Sequence, residues 1–248
     1  MLHRQKRGQN GDEMVVDFHS HILPALDDGS RNIQESAEML RIMGRQGIDC
    51  LVATPHFYPD RTVLSDFLRE RERAYNEIAS CDLPDRPLLK RGAEVAFFRG
   101  IGKSEQLDCL CIENTELLLL EMPFRNWTLQ DCAEIEEIMD KGYIPILAHV
   151  ERFYSLQRIP SAFQAIMRLP LYIQLNAEAF ASFRIRRIAF KIIDSGRPIL
   201  LGSDCHNVKE RYPNLPAGRK ALQKKYGESF LSDMDALGEI LLNTERNI

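Results

Sequence analysis

Seven short apolar runs recur along this chain: Met14–Phe18, Cys50–Thr54, Leu88–Arg91, Leu117–Leu120, Ile144–Ala148, Leu171–Leu175 and Ile199–Leu201. Each is brief, several are bounded by Pro or Gly, and many are rich in Val, Ile or Leu, the pattern of strands buried on both faces. Helical periodicity lies between several of them. Ile33, Ala37 and Leu40 keep i, i+4, i+7 spacing, with Asn32 as a cap, Glu35 as its N3 partner and Gly47 as a stop. Thr128 opens a second helix that ends near Gly142, and Ser182–Ser195 forms a third, stopped by Gly196. Phe230, Met234, Leu237 and Leu241 give a C-terminal helix. Strands alternating with helices predict a parallel α/β fold. Periodicity alone leaves an open sheet and a closed barrel both standing.

The 248 residues suit one large domain or two small ones. No Pro/Gly/Ser-rich linker follows residue 13, so residues 14–248 read as one domain. The polar segment 1–13 lacks the apolar core of a secretory signal and reads as a disordered extension. The net charge is −4, with no Lys/Arg run, which disfavours a nucleic-acid coat. The apolar stretch Leu117–Leu120 is far shorter than the ~18 residues needed to span a bilayer, so no membrane insertion is expected. Six cysteines without CxxC pairs or zinc-finger spacing read as reduced and structural. A cytoplasmic globular protein is the expectation.

The ionisable residues carry more information. Five of the six histidines fall at or just past the C-terminal end of an apolar run: His19 and His21, His56, His149, and His206. Glu94 and Glu121 likewise follow the runs that begin at 88 and 117. In a parallel barrel those strand ends converge on one mouth, where the chemistry is done. A single histidine so placed is usually a satisfied structural residue, whereas five with several carboxylates point to a polynuclear metal site. Imidazole with carboxylate, and no thiolate at matching positions, suits manganese, zinc, iron or cobalt. Two or three such ions close together are a hydrolytic arrangement.

Six motif blocks run in order along the chain: Asp17-Phe18-His19-Ser20-His21 followed by Asp27-Asp28-Gly29, Ala53-Thr54-Pro55-His56, Gly92-Ala93-Glu94, Leu120-Glu121-Met122-Pro123, Ala148-His149-Val150-Glu151-Arg152, and Gly202-Ser203-Asp204-Cys205-His206-Asn207. Together they resemble the polymerase-and-histidinol-phosphatase (PHP) superfamily. The closer likeness is to the metal-dependent protein-tyrosine phosphatases of bacterial capsule and exopolysaccharide loci. The resemblance implies a distorted seven-stranded (β/α) barrel holding three divalent ions, with manganese favoured. It further implies that His19, His21, Glu94 and Asp204 hold one ion, Glu94, Glu121 and His149 a second, and Asp28, His56 and His206 a third. Arg152 and Arg211 take the phosphate-binding role, for which bidentate guanidinium is suited. Asp17 reads as a supporting residue rather than a ligand. Phe57 departs from relatives that carry a polar or basic residue there, which bears on how loop 57–62 meets substrate.

The implied activity is hydrolysis of phosphotyrosine in proteins, with an autophosphorylated tyrosine kinase of polysaccharide assembly as the implied partner. The alternatives are histidinol-phosphate phosphatase, another small-molecule phosphatase of the superfamily, or a non-catalytic metal-bound regulatory module. Cys205 and Arg211 also satisfy C-x5-R, the signature of cysteine-dependent tyrosine phosphatases. The five residues between them contain no glycine and include Glu210, so Cys205 is expected to pack beneath the metal site.

Overall fold

A computed structural model describes residues 13–158 and 160–244 of the chain. The expected extension thus lies outside the described residues except for Glu13, whose carboxylate accepts a hydrogen bond from Ser232 Oγ at 2.7 Å. Every paired strand is parallel. The strands are β1 (Val16–Ser20), β2 (Cys50–Ala53), β3 (His56–Phe57), β4 (Leu88–Arg91), β5 (Glu94–Ala96), β6 (Leu117–Glu121), β7 (Ile144–Leu147), β8 (Tyr172–Asn176) and β9 (Ile199–Gly202). They form a three-stranded sheet in the order β1-β2-β4 and a six-stranded sheet in the order β3-β5-β6-β7-β8-β9. The fold is therefore α/β with parallel sheets. The expected seven-stranded closed barrel differs from this division into two sheets. Pro55, which lacks a ladder donor, separates β2 from β3, and the Gly92–Ala93 pair separates β4 from β5; β3 and β5 lie beyond the expected runs Cys50–Thr54 and Leu88–Arg91.

The two sheets meet at both interruptions. Gly92 N donates to Ala53 O, and Glu94 N to Pro55 O. Their outer edges also touch: Ser20 and Cys205 form a parallel bridge, while Asp204 N donates to His19 O and His21 N to Cys205 O. Alternate residues along the strands separate two apolar clusters, as a period of two requires. Val16, Phe18, Val52, Leu117, Leu119, Ile146 and Leu200 pack together with Leu241 and Leu242. Leu51, Leu118, Leu120, Leu147, Ile173 and Leu201 pack instead among the helices.

The helices are α1 (Ile33–Arg45), α2 (Leu64–Ala79), α3 (Leu129–Asp140), α4 (Val150–Tyr154), α5 (Pro160–Arg168), α6 (Phe183–Ile193), α7 (Leu215–Tyr226) and α8 (Glu228–Asn243). Asn32 caps α1 by accepting from Glu35 N at 3.0 Å, and the Glu35 carboxylate returns to Arg31 N at 3.0 Å. Thr128 and Asp131 form a reciprocal capping box at the start of α3. Gly47 and Gly196 adopt positive φ just past α1 and α6, where an L side chain would be strained. Among the described residues no helix is long and apolar enough to cross a membrane.

Candidate metal centre

The C-terminal ends of the strands bring the predicted ligands together. His19 lies near the end of β1, and His21 follows it. His56 opens β3, Glu94 opens β5, and Glu121 ends β6. His149 follows β7, and Asp204 and His206 follow β9. Asp28 reaches in from the loop after β1. Four overlapping groups place one ligand atom from each member within 4.8 Å: His21, Asp28, His56 and His206; His19, Glu94 and His149; His19, His21 and Asp204; His56, Glu94 and Glu121. Glu94 belongs to two of them and is buried. One Glu94 oxygen lies 3.3 Å from His19 Nε2, 3.4 Å from His21 Nε2 and 2.9 Å from His56 Nδ1. The other lies 2.7 Å from His149 Nε2.

Neighbouring side chains fix which nitrogen of each ring faces inward. Asp27 Oδ2 lies 2.7 Å from His21 Nδ1, and Gln174 Oε1 lies 3.0 Å from His19 Nδ1. A carboxylate and an amide oxygen can only accept, so both rings carry a proton on Nδ1. In the neutral rings, both Nε2 atoms then present lone pairs, 3.1 Å apart, toward Glu94 and Asp204 oxygens at 3.3–3.6 Å. An array of acceptors without a donor needs a cation at its centre or protons on the nitrogens. The inward-facing Glu94 Oε2 has no aligned hydrogen-bond partner, despite its three close nitrogens. This donor set fits divalent metal ions, with ring nitrogens and carboxylate oxygens alone.

The electrostatics follow from the same geometry. Burial alone would raise the Glu94 carboxyl and lower the His19 and His21 rings. The opposite charges and hydrogen bonds reverse both trends, holding Glu94 well below the carboxylate range and His21 well above the imidazole range, with His19 also raised. Burial and then the neighbouring Glu94 charge push Glu121 up to about 7. Burial, His21 and the Arg211 guanidinium bring His206 down to about 4. Arg211 donates to His206 Nε2 at 2.7 Å. His149 and Asp204 both adopt left-handed backbone, with φ of 32° and 52°. Such conformations cluster at functional sites because the surroundings must enforce them.

Asp204 Oδ2 collects three donors: Arg152 at 2.6 Å, Arg211 at 2.7 Å and Asn176 Nδ2 at 2.8 Å. The two predicted phosphate-binding arginines are thus side by side, each about a third exposed. Asp17 is buried and accepts from the backbone N–H groups of His19 and Ser203, tying β1 to β9. Three supporting residues escape the sequence reading. Asp27 holds His21 and accepts from His56 N, Gln174 also accepts from His149 N, and Asn176 links Gln174 to Asp204. The visible signal for Gln174 was an amide inside an otherwise apolar run. Phe57 is buried against Phe67, and the next residue, Tyr58, lies against the His56 ring, tilted by 30° with centroids 5.0 Å apart.

Cys205 is buried, and its thiol is pushed well above its usual value by burial, the reverse of an activated nucleophile. The residues after it offer no phosphate cradle. The N–H groups of His206 and Asn207 bond Arg211 O, and those of Lys209, Glu210 and Arg211 bond Asn207 Oδ1.

A sequence model for the family described as capsular polysaccharide synthesis, CpsB/CapC, matches residues 15–237. The chain belongs to the CpsB/CapC family. The tyrosine-protein phosphatase YwqE of Bacillus subtilis is 27% identical over 239 residues, covering 93% of this chain and 92% of YwqE. The tyrosine-protein phosphatase CpsB of Streptococcus pneumoniae is 25% identical over 228 residues, covering 86% and 91%. A solved structure from work on YwqE and CpsB, described as unique metal-dependent tyrosine phosphatases, superposes with a TM-score of 0.80. It covers 94% of this chain and 96% of its own, at 23% identity, so the CpsB/CapC fold is shared along almost the whole length.

Proposed function

We propose that this chain is a metal-dependent phosphatase that hydrolyses phosphotyrosine in proteins, with a tyrosine kinase of polysaccharide assembly as its substrate. The observation that carries the reading is the convergence of imidazole nitrogens and carboxylate oxygens around Glu94, with Arg152 and Arg211 on its border. In this reading His19, His21, Glu94 and Asp204 hold one ion, Glu94, Glu121 and His149 a second, and Asp28, His56 and His206 a third, manganese being favoured. Bound ions of this kind lower the pKa of water to supply a nucleophile and polarise phosphoryl oxygens. Arg152 and Arg211 bind the equatorial oxygens of the phosphoryl group, leaving Asp204 to do so. Glu94 stays ionised because histidine surrounds it, and Asp27 and Gln174 hold the Nδ1 protons of His21 and His19, so that the neutral rings turn Nε2 inward as the ligand atom. A phenolate leaving group has a pKa of ~10, so acid assistance is less demanding than for an alkoxide.

The same reading takes β2 with β3 and β4 with β5 as two interrupted strands, which turns nine strands into a distorted seven-stranded barrel. The Ser20–Cys205 bridge supports closure. It also takes residues 14–248 as one catalytic domain and the cytoplasm as its setting, supported by six free cysteines. The test compares turnover of a phosphotyrosine peptide and of histidinol phosphate with manganese added. Preference for the peptide is expected, and preference for histidinol phosphate would overturn the assignment.

A further inference from the structure

Helix α6 carries its cations differently from α1 and α2. On α1, Arg41 and Arg45 pair with Glu38, and on α2, Arg69 and Arg73 pair with Asp66, Glu70 and Glu77. Arg219 of α7 pairs with Asp235 of α8, and Lys225 with Asp194. Helix α6 contains no acidic residue, and its sequence Phe183-Arg184-Ile185-Arg186-Arg187 packs three arginines into its first turns. Cations at a helix N-terminus oppose the macrodipole, and no side chain caps this end. Among the described residues Arg184, Arg186, Arg187 and Lys191 form no ion pair. The contacts that three of them make are with aromatic faces: Arg186 and Arg187 over Phe183, and Lys191 over Tyr154. Phe183 itself is 69% exposed. A chain of net charge −4 thus keeps an uncompensated basic strip with an aromatic anchor.

The strip is beside the mouth. Helix α6 opens just past the 3-10 turn Ala177–Phe180, which follows Asn176, the residue bonded to Asp204. Helix α4, which carries Arg152, packs against α6. Phe183, Arg184, Arg187, Ile188 and Lys191 line one open face of the helix. Spacings of three and four residues set Arg184, Arg187 and Lys191 on one face, ~10 Å from end to end. That is the reach of about three residues of extended chain.

We infer that α6 is a docking strip for the acidic flank of a phosphotyrosine-bearing segment, whose phosphoryl group enters the metal centre. The inference rests on the phosphatase reading and names the substrate class within it. Carboxylates on alternate residues of an extended peptide meet Arg184 and Arg187, and an apolar side chain beside them covers Phe183. A bilayer is the poorer match, because only Phe183 and Ile185 are exposed apolar groups on this helix.

The test compares the metal-loaded full chain with the double variants Arg184→Glu/Arg187→Glu and Arg184→Gln/Arg187→Gln. Three substrates are used: a phosphotyrosine peptide with Asp/Glu flanks, the same peptide with Asn/Gln flanks, and a small aryl phosphate. For the acidic peptide, KM should rise about tenfold in the Glu variant and less in the Gln variant, with added salt erasing the difference. The amide-flanked peptide and the aryl phosphate should stay within about twofold of the parent, since neither presents charge to the strip. Equal losses on all three substrates, or an unchanged KM for the acidic peptide, would overturn the inference. So would unchanged peptide kinetics with loss of sedimentation on phosphatidylserine vesicles, which would assign the strip to a membrane. Failure of the parent chain on every substrate is failure of the phosphatase reading instead. Anisotropy with the unphosphorylated acidic peptide still tests the strip in that case, and equal affinity for parent and variants would overturn it.

Discussion

Glu94 Oε1 lies 2.7 Å from His149 Nε2, a contact across 55 residues of sequence that joins the start of β5 to the end of β7. Its other oxygen faces three further histidines, so one carboxylate gathers imidazoles from β1, β3 and β7 and the loops that follow them.

Replacing that carboxylate should therefore dismantle the centre. Glu94→Gln should bind fewer divalent ions and lose at least roughly two orders of magnitude in aryl phosphate turnover, the scale seen when metal-orienting groups are removed. Chelation should abolish turnover in the parent chain, and manganese should restore it. Metal analysis alongside the assay checks both statements. An unchanged rate in fully stripped protein would count against the hydrolytic site.

Asp27→Asn and Gln174→Ala touch no substrate in this reading, yet each removes the group that fixes a ring nitrogen. Metal affinity should fall about 10–100-fold in each, with the folded structure kept. Competition against a metallochromic chelator measures this directly.

Cys205→Ser should keep most of its activity, because the thiol is buried and proton-bound. Arg152→Ala should lose about 2–4 kcal/mol of transition-state stabilisation, the cost of removing one charge-assisted clamp. Parallel assays of the two variants, with thermal melts to confirm folding, separate the metal mechanism from the C-x5-R mechanism. An inactive, folded and fully metallated Cys205→Ser protein would restore the cysteine mechanism.

Burial pushes the Asp17 carboxyl up to about 6 from 3.8. Between these values the folded, metal-free chain binds more protons than the unfolded one, so stability falls as pH rises from about 4 through 6. The shift corresponds to roughly 3 kcal/mol. Asp17→Asn should flatten this part of the slope. Denaturant titrations of both proteins in chelator, across that window, give the difference.

Gly202 leaves no room for a side chain. A Cβ there would come within 2.6 Å of both His19 Cβ and Gln174 Nε2. Gly202→Ala should destabilise the fold by about 1–3 kcal/mol and loosen His19. A calorimetric melt and metal titration would show both.

The seven apolar runs were legible because strands buried on both faces need continuous Val, Ile and Leu, and each run corresponds to a strand or its larger part. β3 and β5 were not, since two or three residues following Pro55 and Gly92 carry no periodicity of their own. Helix α2 was also missed: it buries only Phe67, Ala74 and Ile78 amid charged residues, and Val63 at its start offers no capping side chain. The ligand types stood out because imidazoles and carboxylates terminated apolar runs. Asp27 and Asn176 did not, because an adjacent Asp-Asp pair does not say which member turns toward a ring, and a strand-end amide resembles any turn residue.

The joining of β1 to β9 has a consequence for the making of the protein. His19 and His21 come from the first strand and the residues after it, whereas Asp204 and His206 follow the last, and the two edges meet through the Ser20–Cys205 bridge, the backbone hydrogen bonds beside it and the Asp17 carboxylate. During translation no nascent chain shorter than about residue 206 possesses the complete constellation. Its early histidines emerge from the ribosome long before their partners do. A prematurely terminated product would lack Asp204 and His206 and so could not complete the proposed metal set.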